Sequence, residues 1–393
     1  ASVNLVSLAA REDVIFAETQ PLPQLRNAQS KIITGTSLAY QNGIRGSNQT
    51  IAVSDTGIYR PHEAFSQSNK INSIIDIAGD SNQLGGDGNG HGTHVAGTVA
   101  GDAPSYLTSN KEDGQSMASR LIDVKIFDNN GLWQGGNEYV FWQQAYQSGA
   151  RINNNSWGSD TFGAYTNSDR DADQITSEQH NYVLVVANGN VGPNQSTLGS
   201  PAVAKNVISV GSQVTNQRFD VANFSSRGPC LDQRIKPDLI APGAAVISAQ
   251  AQTSSGYIGL QGTSMSSPQV AGLAGLVRQY FEEGNYQGLV FDPSSALVKA
   301  VLINGASEVN GIGADYLNEG KFPNNSQGWG ALSLPRTLPF PKSLRTFWVW
   351  DIPSLPATGH ISSQTFNLNF ASPEVKITLV WLDSPATPGN NLA

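Results

Sequence analysis

The chain has 393 residues, enough for one large domain and a smaller one, and 39% of them are hydrophobic while only 14% are charged. Its formal net charge of −8, without a basic cluster, argues against nucleic acid as a partner, and no apolar run approaches the length of a membrane span. Cys230 is the only cysteine, which excludes an internal disulfide bond, and the low charge beside many Gly, Ser, Asn and Gln residues is typical of secreted, extracellular proteins.

The first 26 residues form a segment of their own. Residues 2–18 show a helix-like pattern that runs into an apolar stretch, and Pro21 and Pro23 then break this pattern. Two interpretations stay open. Residues 1–26 are either an N-terminal extension that packs on the following domain, or the tail of a propeptide that leads into a mature start near Asn27.

Residues 27–335 alternate between patterns typical of strands and of helices. We predict helices at 94–101 and 137–148, an apolar run at 71–77, and strands at 50–54, 120–127, 151–156, 182–187 and 206–210. Strands separated by helices indicate an α/β domain whose parallel sheet is flanked by helices on both faces. Catalytic groups in such sheets usually lie at the carboxyl ends of the strands, which makes Asp55 and residues 188–190 candidates.

Residues 336–393 have a different composition. Repeated prolines separate short β-like runs at 347–350, 365–370 and 375–382, and no helical pattern is present. We predict that this segment is the first part of a C-terminal β-sandwich domain, because a complete sandwich or jelly roll needs about seven or eight strands. The missing strands would then lie on a separate C-terminal fragment, bound without a disulfide because Cys230 lies in the other domain.

The stretch from Gly262 to Gly272 places a serine, Ser264, just before a predicted helix. Pro268 suits the first turn of that helix, where a missing N–H costs nothing, and an apolar run rich in Ala and Gly follows. Free N–H groups and the helix dipole favour negative charge at such a position. The alternative interpretation is that Ser264 only caps the helix.

Two stretches upstream supply an acid and a base. Asp55 lies in Val-Ser-Asp-Thr-Gly at residues 53–57, and His91 lies in Gly-His-Gly-Thr-His-Val-Ala-Gly at residues 90–97. A serine hydroxyl is a poor nucleophile until a base removes its proton, and a histidine is suited to that task near neutral pH. A carboxylate would fix the tautomer of the imidazole and stabilise its protonated form. Asp55, His91 and Ser264 therefore predict nucleophilic catalysis.

Further motifs occur in order along residues 50–335: Asn-Asn-Asn-Ser-Trp-Gly at 153–158, Ala-Asn-Gly-Asn-Val-Gly-Pro at 187–193, Phe-Ser-Ser-Arg-Gly-Pro at 224–229 and Lys-Pro-Asp-Leu-Ile-Ala-Pro-Gly at 236–243. Together with the three catalytic stretches, these motifs make the chain resemble the subtilases, serine endopeptidases of the subtilisin clan. The β-rich tail makes it most similar to oxidatively stable alkaline subtilases that carry a C-terminal β-sandwich. The resemblance implies a secreted endopeptidase that has a subtilisin-like parallel sheet and cleaves extended protein or peptide substrates through an acyl-enzyme.

The resemblance also implies roles for residues around the catalytic groups. Asn190 corresponds to the oxyanion-hole side chain, which the backbone N–H of the nucleophile completes. Ser156, Trp157 and Gly158 correspond to the edge segment that pairs with substrate through main-chain hydrogen bonds. Pro201 corresponds to a cis proline beside the S1 pocket, which receives the substrate side chain preceding the scissile bond.

We expect no cofactor for catalysis and assign no metal site. His91 and His94 could form a metal pair, but the zinc-protease motif needs His-Glu-x-x-His on a continuous helix, and glycines intervene here, so a structural role for His94 is favoured. Asp87, Asp113 and Asp173 are candidates for a structural calcium ion, although loop aspartates usually only form turns. The rival hypothesis from another class is a catalytically dead subtilase fold that serves as a binding or adhesion module.

Overall fold

The computed structural model describes residues 26–102, 113–215, 220–317, 319–341, 345–352, 363–365 and 375–389, so the predicted N-terminal helix lies outside the described residues. The β-strands in this part of the chain are β1 Thr50–Asp55, β2 Ile71–Asp76, β3 Arg120–Lys125, β4 Ile152–Asn155, β5 Val183–Ala187, β6 Ile208–Val214, β7 Leu239–Ala244, β8 Val246–Ala249 and β9 Tyr257–Leu260. The α-helices are α1 Arg26–Thr34, α2 Thr36–Gln41, α3 His91–Ala100, α4 Glu138–Gln147, α5 Asn167–Glu178, α6 Thr263–Glu282, α7 Ser295–Gly305 and α8 Leu334–Thr337.

Seven parallel strands form one sheet in the order β2-β3-β1-β4-β5-β6-β7, and β8 and β9 form a separate antiparallel pair. The central strands β1, β4 and β5 are almost entirely buried because helices cover both faces of the sheet. The predicted α/β fold is confirmed, with small differences at the ends of the predicted strands. Because the strands are parallel, their carboxyl ends share one edge, where Asp55 ends β1 and Ser156 follows β4.

Helix α6 is buried along nearly its whole length. It packs against β1, β4, β5, β6 and β7 and against α3 and α7. Val270, Leu273 and Leu276 lie in the larger hydrophobic core, and the small residues between them allow close contact. A Cβ on Gly272, for example, would lie 2.9 Å from the carbonyl oxygen of Val99 in α3. The position of α6 is therefore fixed from several sides.

A second core lies on the opposite face of the sheet. Helices α4 and α5 cover it with Phe141, Trp142, Ala172 and Ile175, which pack against β3 and β5. The two cores together explain why β5 is apolar on both faces. None of the helices in the described ranges is long and apolar enough to cross a membrane.

Helix α6 begins earlier than the sequence predicts. Its N-cap position is Gly262, so Ser264 lies inside the first turn and does not cap the helix. Pro268 lies inside the helix, and its predicted place in the first turn is wrong. A proline here cannot donate to the carbonyl oxygen of Ser264 four residues earlier, so this carbonyl needs another donor.

The described parts of residues 336–393 contain no β-strand. The strands predicted at 347–350 and 375–382 are wrong for these residues, which have no strand partner among the described ones, and most of the run 365–370 lies outside the described residues. Residues 375–382 instead contact α7, where Lys376 Nζ donates to the carbonyl oxygen of Ile303 and Asn304 Nδ2 donates to that of Lys376. A C-terminal β-sandwich is therefore not confirmed.

The packing of the large domain continues past residue 335, where we placed the domain boundary. Leu334 lies in helix α8, and it is buried in the larger core together with Leu338 and Phe340. Phe347 and Val349 pack against the same core from outside. The division into residues 27–335 and 336–393 stays a prediction.

A buried carboxylate joins β7 to α7 through two lysines. Asp238 lies 2.7 Å from Lys236 Nζ and 3.1 Å from Lys299 Nζ, and it also accepts the backbone N–H of Ser209. None of the three charged side chains is more than 10% exposed. Burial alone would raise the pKa of Asp238, but the two lysines hold it below its ordinary value.

Asp238→Asn should strongly destabilise the protein, because it leaves two buried ammonium groups without their counter-charge. We expect the free energy of unfolding to fall by about 3–5 kcal/mol, measured by chemical denaturation. The matched control is Glu308→Gln at an exposed position, which should change stability by less than about 0.5 kcal/mol. Equal stability of the two variants would contradict a structural role for this charge cluster.

Candidate active site

Asp55 and His91 form a hydrogen-bonded pair at the carboxyl edge of the sheet. Asp55 ends β1, His91 begins α3, and His91 Nδ1 donates to Asp55 Oδ1 over 2.8 Å. The same carboxylate oxygen accepts the backbone N–H of Thr56. Gly92 permits this approach, because a Cβ there would lie 2.2 Å from the carbonyl oxygen of Gly57 and 3.1 Å from Asp55 Cβ. A larger residue at Gly92 would separate the acid from the base.

The bond to Asp55 determines which ring nitrogen of His91 can act as a base. Because Nδ1 carries the donated hydrogen, Nε2 bears the lone pair of the neutral imidazole. The side chain of His91 is 31% exposed, whereas that of Asp55 is 2% exposed. Burial would lower the pKa of His91, but the charge of Asp55 and its hydrogen bond outweigh burial and raise the pKa above the ordinary 6.5.

Ser264 is bound to Ser156 in both directions. Ser264 Oγ donates to the carbonyl oxygen of Ser156, and Ser156 Oγ donates to the carbonyl oxygen of Ser264, each over 2.9 Å. Because Pro268 has no N–H to occupy the Ser264 carbonyl, this acceptor is available to Ser156. The proline within α6 thus helps to join the candidate nucleophile to the predicted substrate segment.

Asn190 is held by the first residue of α6. Its Oδ1 accepts the backbone N–H of Thr263 over 2.9 Å and the hydroxyl of Thr263 over 3.1 Å. The hydroxyl of Thr263 in turn accepts the N–H of Gly189. With Oδ1 occupied, Nδ2 is the atom of Asn190 that can donate to a ligand beside Ser264. Thr263 therefore orients the predicted oxyanion donor. This role was missed in the sequence analysis, and the only sign of it in the sequence is the position of Thr263 next to Ser264.

Three consecutive asparagines in the buried strand β4 support this site. Asn154 Nδ2 donates to Ser156 Oγ, and Asn154 Oδ1 accepts from Ser267 Oγ, each over 2.8 Å. The side chains of Asn153 and Asn155 are also buried and hydrogen-bonded. Since buried amides are stable only with partners, this network restricts the position of Ser156.

Asp87, a calcium candidate from the sequence, connects the neighbours of the acid and the base. Its Oδ1 accepts the hydroxyl of Thr56 and the N–H of Gly90, and its Oδ2 accepts both the N–H and the hydroxyl of Thr93. Burial raises the pKa of Asp87, although these hydrogen bonds oppose the change. Because Thr56 follows Asp55 and Gly90 precedes the base, Asp87 restricts the distance between acid and base.

The other metal candidates are engaged separately. Asp173 forms an ion pair with Lys205 over 2.6 Å, and Asp113 lies 3.8 Å from Lys31. His94 Nε2 lies 3.1 Å from carbonyl oxygens of both β8 and β9, and burial lowers its pKa to about 4, as suits a structural residue. Among the described residues, no three His, Cys, Asp or Glu side chains are grouped to hold a metal ion. The calcium ion stays a prediction.

The predicted substrate segment runs from Ser156 through Trp157 to Gly158. Trp157 is anchored by three aromatic rings with centroids 5.0–6.3 Å away, those of Trp133, Phe141 and Trp142. Gly158 is exposed, and a Cβ there would lie 2.8 Å from the carbonyl oxygen of Ser200. The peptide bond between Ser200 and Pro201 is cis, as predicted.

The parallel sheet, the Asp–His pair and the serine in the first turn of a buried helix define a site of the serine-hydrolase class. A profile of the Subtilase family matches residues 46–330, which is most of the chain. The protein therefore belongs to the subtilase family, the subtilisin-like serine peptidases.

Several known proteins are similar to this chain. Serine protease AprX of Bacillus subtilis is 34% identical over 263 residues, 60% of this chain and 58% of that protein. Subtilisin BL of Lederbergia lenta is 34% identical over 249 residues, 61% of this chain and 80% of that protein. The crystal structure of a cold adapted subtilisin-like serine proteinase has a TM-score of 0.54 and 26% identity, covering 74% of this chain and 89% of that one.

The similarity extends over unequal shares of these relatives. Serine protease/ABC transporter B family protein tagA of Dictyostelium discoideum is 25% identical over 463 residues, which are 88% of this chain but 26% of that protein. The chain thus spans about a quarter of tagA and somewhat more than half of AprX.

The raised pKa of His91 predicts how peptide hydrolysis depends on pH. As the pH falls through this pKa, His91 becomes protonated and can no longer accept a proton, so kcat/KM should decline with a midpoint above 6.5. Asp55→Asn removes the negative charge, and the midpoint should move to lower pH while kcat falls. Identical acid limbs in the two proteins would contradict the coupling of His91 to Asp55.

Asp87→Asn should impair catalysis without touching substrate. The new amide group cannot accept from both threonines, so the spacing of acid and base changes, and we expect kcat to fall on the order of 10²-fold with a smaller change in KM. Asp76→Asn is the matched control, because the carboxylate of Asp76 accepts from Gly79 and Ser81 in the loop that follows β2. Steady-state kinetics that show equal kcat for both variants would contradict this role of Asp87.

Proposed function

We propose that the protein is a secreted serine endopeptidase that hydrolyses peptide bonds of extended protein substrates through an acyl-enzyme. The observation that carries the proposal is the His91–Asp55 hydrogen bond at the same sheet edge as Ser264 and Asn190. Membership of the subtilase family supports it. Secretion is supported by the low share of charged residues.

Acylation requires the Ser264 hydroxyl to leave the Ser156 carbonyl and to donate to His91 Nε2. His91 takes the proton as Oγ bonds to the carbonyl carbon of the scissile peptide, and Asp55 stabilises the resulting imidazolium. The carbonyl oxygen becomes anionic and accepts from Asn190 Nδ2 and from the N–H of Ser264. The amine then leaves with the proton from His91, and the acyl group remains as an ester on Ser264.

Deacylation repeats these steps with water. His91 takes a proton from water as its oxygen bonds to the acyl carbon. The second tetrahedral intermediate uses the same two donors, and Ser264 Oγ leaves with the proton from His91. The products are a carboxylic acid and the free enzyme. His91 acts once as a base and once as an acid in each half of the reaction.

The site favours a substrate in an extended conformation. Ser156, the first residue of the substrate segment, accepts the hydroxyl of Ser264. Gly158, the last residue of the segment, is exposed and has no side chain to screen its backbone. A substrate strand can therefore add its main-chain hydrogen bonds along this segment. Recognition of backbone rather than of particular side chains is consistent with broadly varied protein substrates.

Covalent labelling with a fluorophosphonate, which reacts with activated serine hydroxyls, tests the proposal. We expect one adduct, located on Ser264 by peptide mass spectrometry and absent from Ser264→Ala. Ser266→Ala is the matched control, because the Ser266 hydroxyl is buried on the same helix and makes no hydrogen bond among the described residues. Labelling of the control should match that of the wild type. A folded wild-type protein that does not react at Ser264 would overturn the proposal in favour of a binding module.

Asn190→Ala tests the oxyanion role separately. We expect kcat to fall about 10²–10³-fold, the loss seen when one oxyanion donor is removed from a subtilisin, while KM changes little. The variant should still form the Ser264 adduct, only more slowly, since the nucleophile and base are intact. An unchanged kcat would contradict the assigned role of Asn190.

A further inference from the structure

Residues 199–201 bridge the two chain segments that leave the middle of the sheet beside Ser264. Ser200 pairs with Ser159, which follows the substrate segment, through two backbone hydrogen bonds of 2.9 Å. The N–H of Gly199 donates to the carbonyl oxygen of Asn188, which follows β5, over 3.1 Å. We call residues 199–201 the pocket floor, because they close the gap between residues 156–159 and 188–190.

A buried carboxylate on a neighbouring helix binds this floor. Asp169 lies in the first turn of α5, and its Oδ2 accepts the hydroxyl of Ser200 over 2.6 Å. Asp169 is fully buried, and its Oδ1 has no hydrogen-bond partner among the described residues. Burial raises the pKa of Asp169 to about 6, although bonds from Ser200 and Thr166 oppose the change.

The bond to Ser200 goes beyond what capping of α5 requires. Asp169 Oδ2 accepts the N–H and the hydroxyl of Thr166, which together with the N-cap bond forms a capping box. Solvent-exposed carboxylates perform this task on many helices, whereas Asp169 is buried and directed at the floor. Its additional bond fixes the Ser200 side chain, whose backbone is part of the floor, together with a 2.6 Å bond between the hydroxyls of Thr166 and Ser200.

A shift of Ser200 would be transmitted directly to the substrate segment. Gly158 lies so close to the Ser200 carbonyl that a Cβ would be 2.8 Å away, and a Cβ on Gly199 would be equally close to the carbonyl of Ser159. The segments therefore touch backbone to backbone, with no flexible side chain between them to absorb movement.

The geometry of the proposed reaction places a substrate side chain over this floor. When the scissile carbonyl lies between Ser264 and Asn190, and the substrate backbone follows residues 156–158, the side chain preceding the scissile bond enters the gap towards residues 188–190. With the substrate backbone in this place, a large side chain would come closer to the floor than a small one.

We propose that Asp169 is a positioning residue that holds the pocket floor through Ser200 and so determines how large a side chain the enzyme accepts before the scissile bond. This inference rests on the proposed endopeptidase function. Asp169 touches no substrate itself, and its effect depends on Ser200.

The test compares two chromogenic peptides that differ only in Phe or Ala before the scissile bond. Ser200→Ala removes the bonds of the Ser200 hydroxyl to Asp169 and to the Thr166 hydroxyl, and it leaves the bonds between Asp169 and Thr166 in place. We expect kcat/KM for the Phe peptide to fall about tenfold, mainly through KM, as suits the loss of one hydrogen bond to a charged group. The Ala peptide should change less than about twofold, because its side chain stays farther from the floor.

Asp169→Asn and the double variant show whether Asp169 acts through Ser200. If it does, the double variant should lose no more selectivity than Ser200→Ala alone, because without the Ser200 hydroxyl Asp169 has no bond to the floor. The matched control is Asp173→Asn, a buried carboxylate one turn further along α5 whose partners include Tyr165 and Lys205. It should leave the ratio of the two kcat/KM values unchanged even if it lowers stability.

Two results would overturn the inference and are distinguishable from each other. A wild type that cleaves both peptides, with Ser200→Ala showing the same Phe-to-Ala ratio as the wild type, overturns the role of Asp169 alone. A wild type that cleaves neither peptide overturns the proposed function and this inference with it. If Asp169→Asn fails to fold, Ser200→Ala still decides between these results.

Discussion

Burial of helix α6 against the parallel sheet is the constraint on which the site depends. The helix contacts β1, β4, β5, β6 and β7, so its first turn can lie at only one place along the carboxyl edge. Ser264 is fixed there by its reciprocal bonds to Ser156, and Thr263 directs the amide of Asn190 from the same turn. Hydrophobic burial thus fixes the position of the first turn of α6, and a few polar contacts orient the side chains of Ser264 and Asn190.

Several of the polar side chains that surround the candidate active site are completely buried. Strand β4 carries three buried asparagines, and Asp87 and Asp169 are carboxylates without solvent contact. Each such group is costly to bury unless its partners are in place, so the alternatives to the observed geometry are disfavoured. Buried polar groups also lie away from the candidate active site, for example Asp238 with its two lysines and Arg278, which pairs with Asp292.

The features that could be predicted from the sequence are those that depend on residues close together in the chain. Apolar runs predicted the central strands, and Asp55, His91 and Ser264 were identified from motifs in which glycine and small residues surround a reactive group. Helix α5 was missed because its buried face includes Asp169, Asp171 and Asp173, so it lacks the apolar periodicity by which helices are recognised. The roles of Thr263 and Asp87 depend on partners far away in sequence, which no local pattern indicates. The β-sandwich predicted for the tail is not confirmed, because a β-like run becomes a strand only with a partner and none lies among the described residues.

The most direct measurement is a crystal structure of the protein with a peptide boronate, which forms a tetrahedral adduct with an activated serine. Our account predicts a bond from Ser264 Oγ to boron, one boronate oxygen within hydrogen-bonding distance of Asn190 Nδ2 and the Ser264 N–H, and the peptide backbone along residues 156–158. The Ser264 hydroxyl should have left the Ser156 carbonyl. A boronate bound elsewhere, or an adduct whose oxygen does not contact Asn190, would contradict the account.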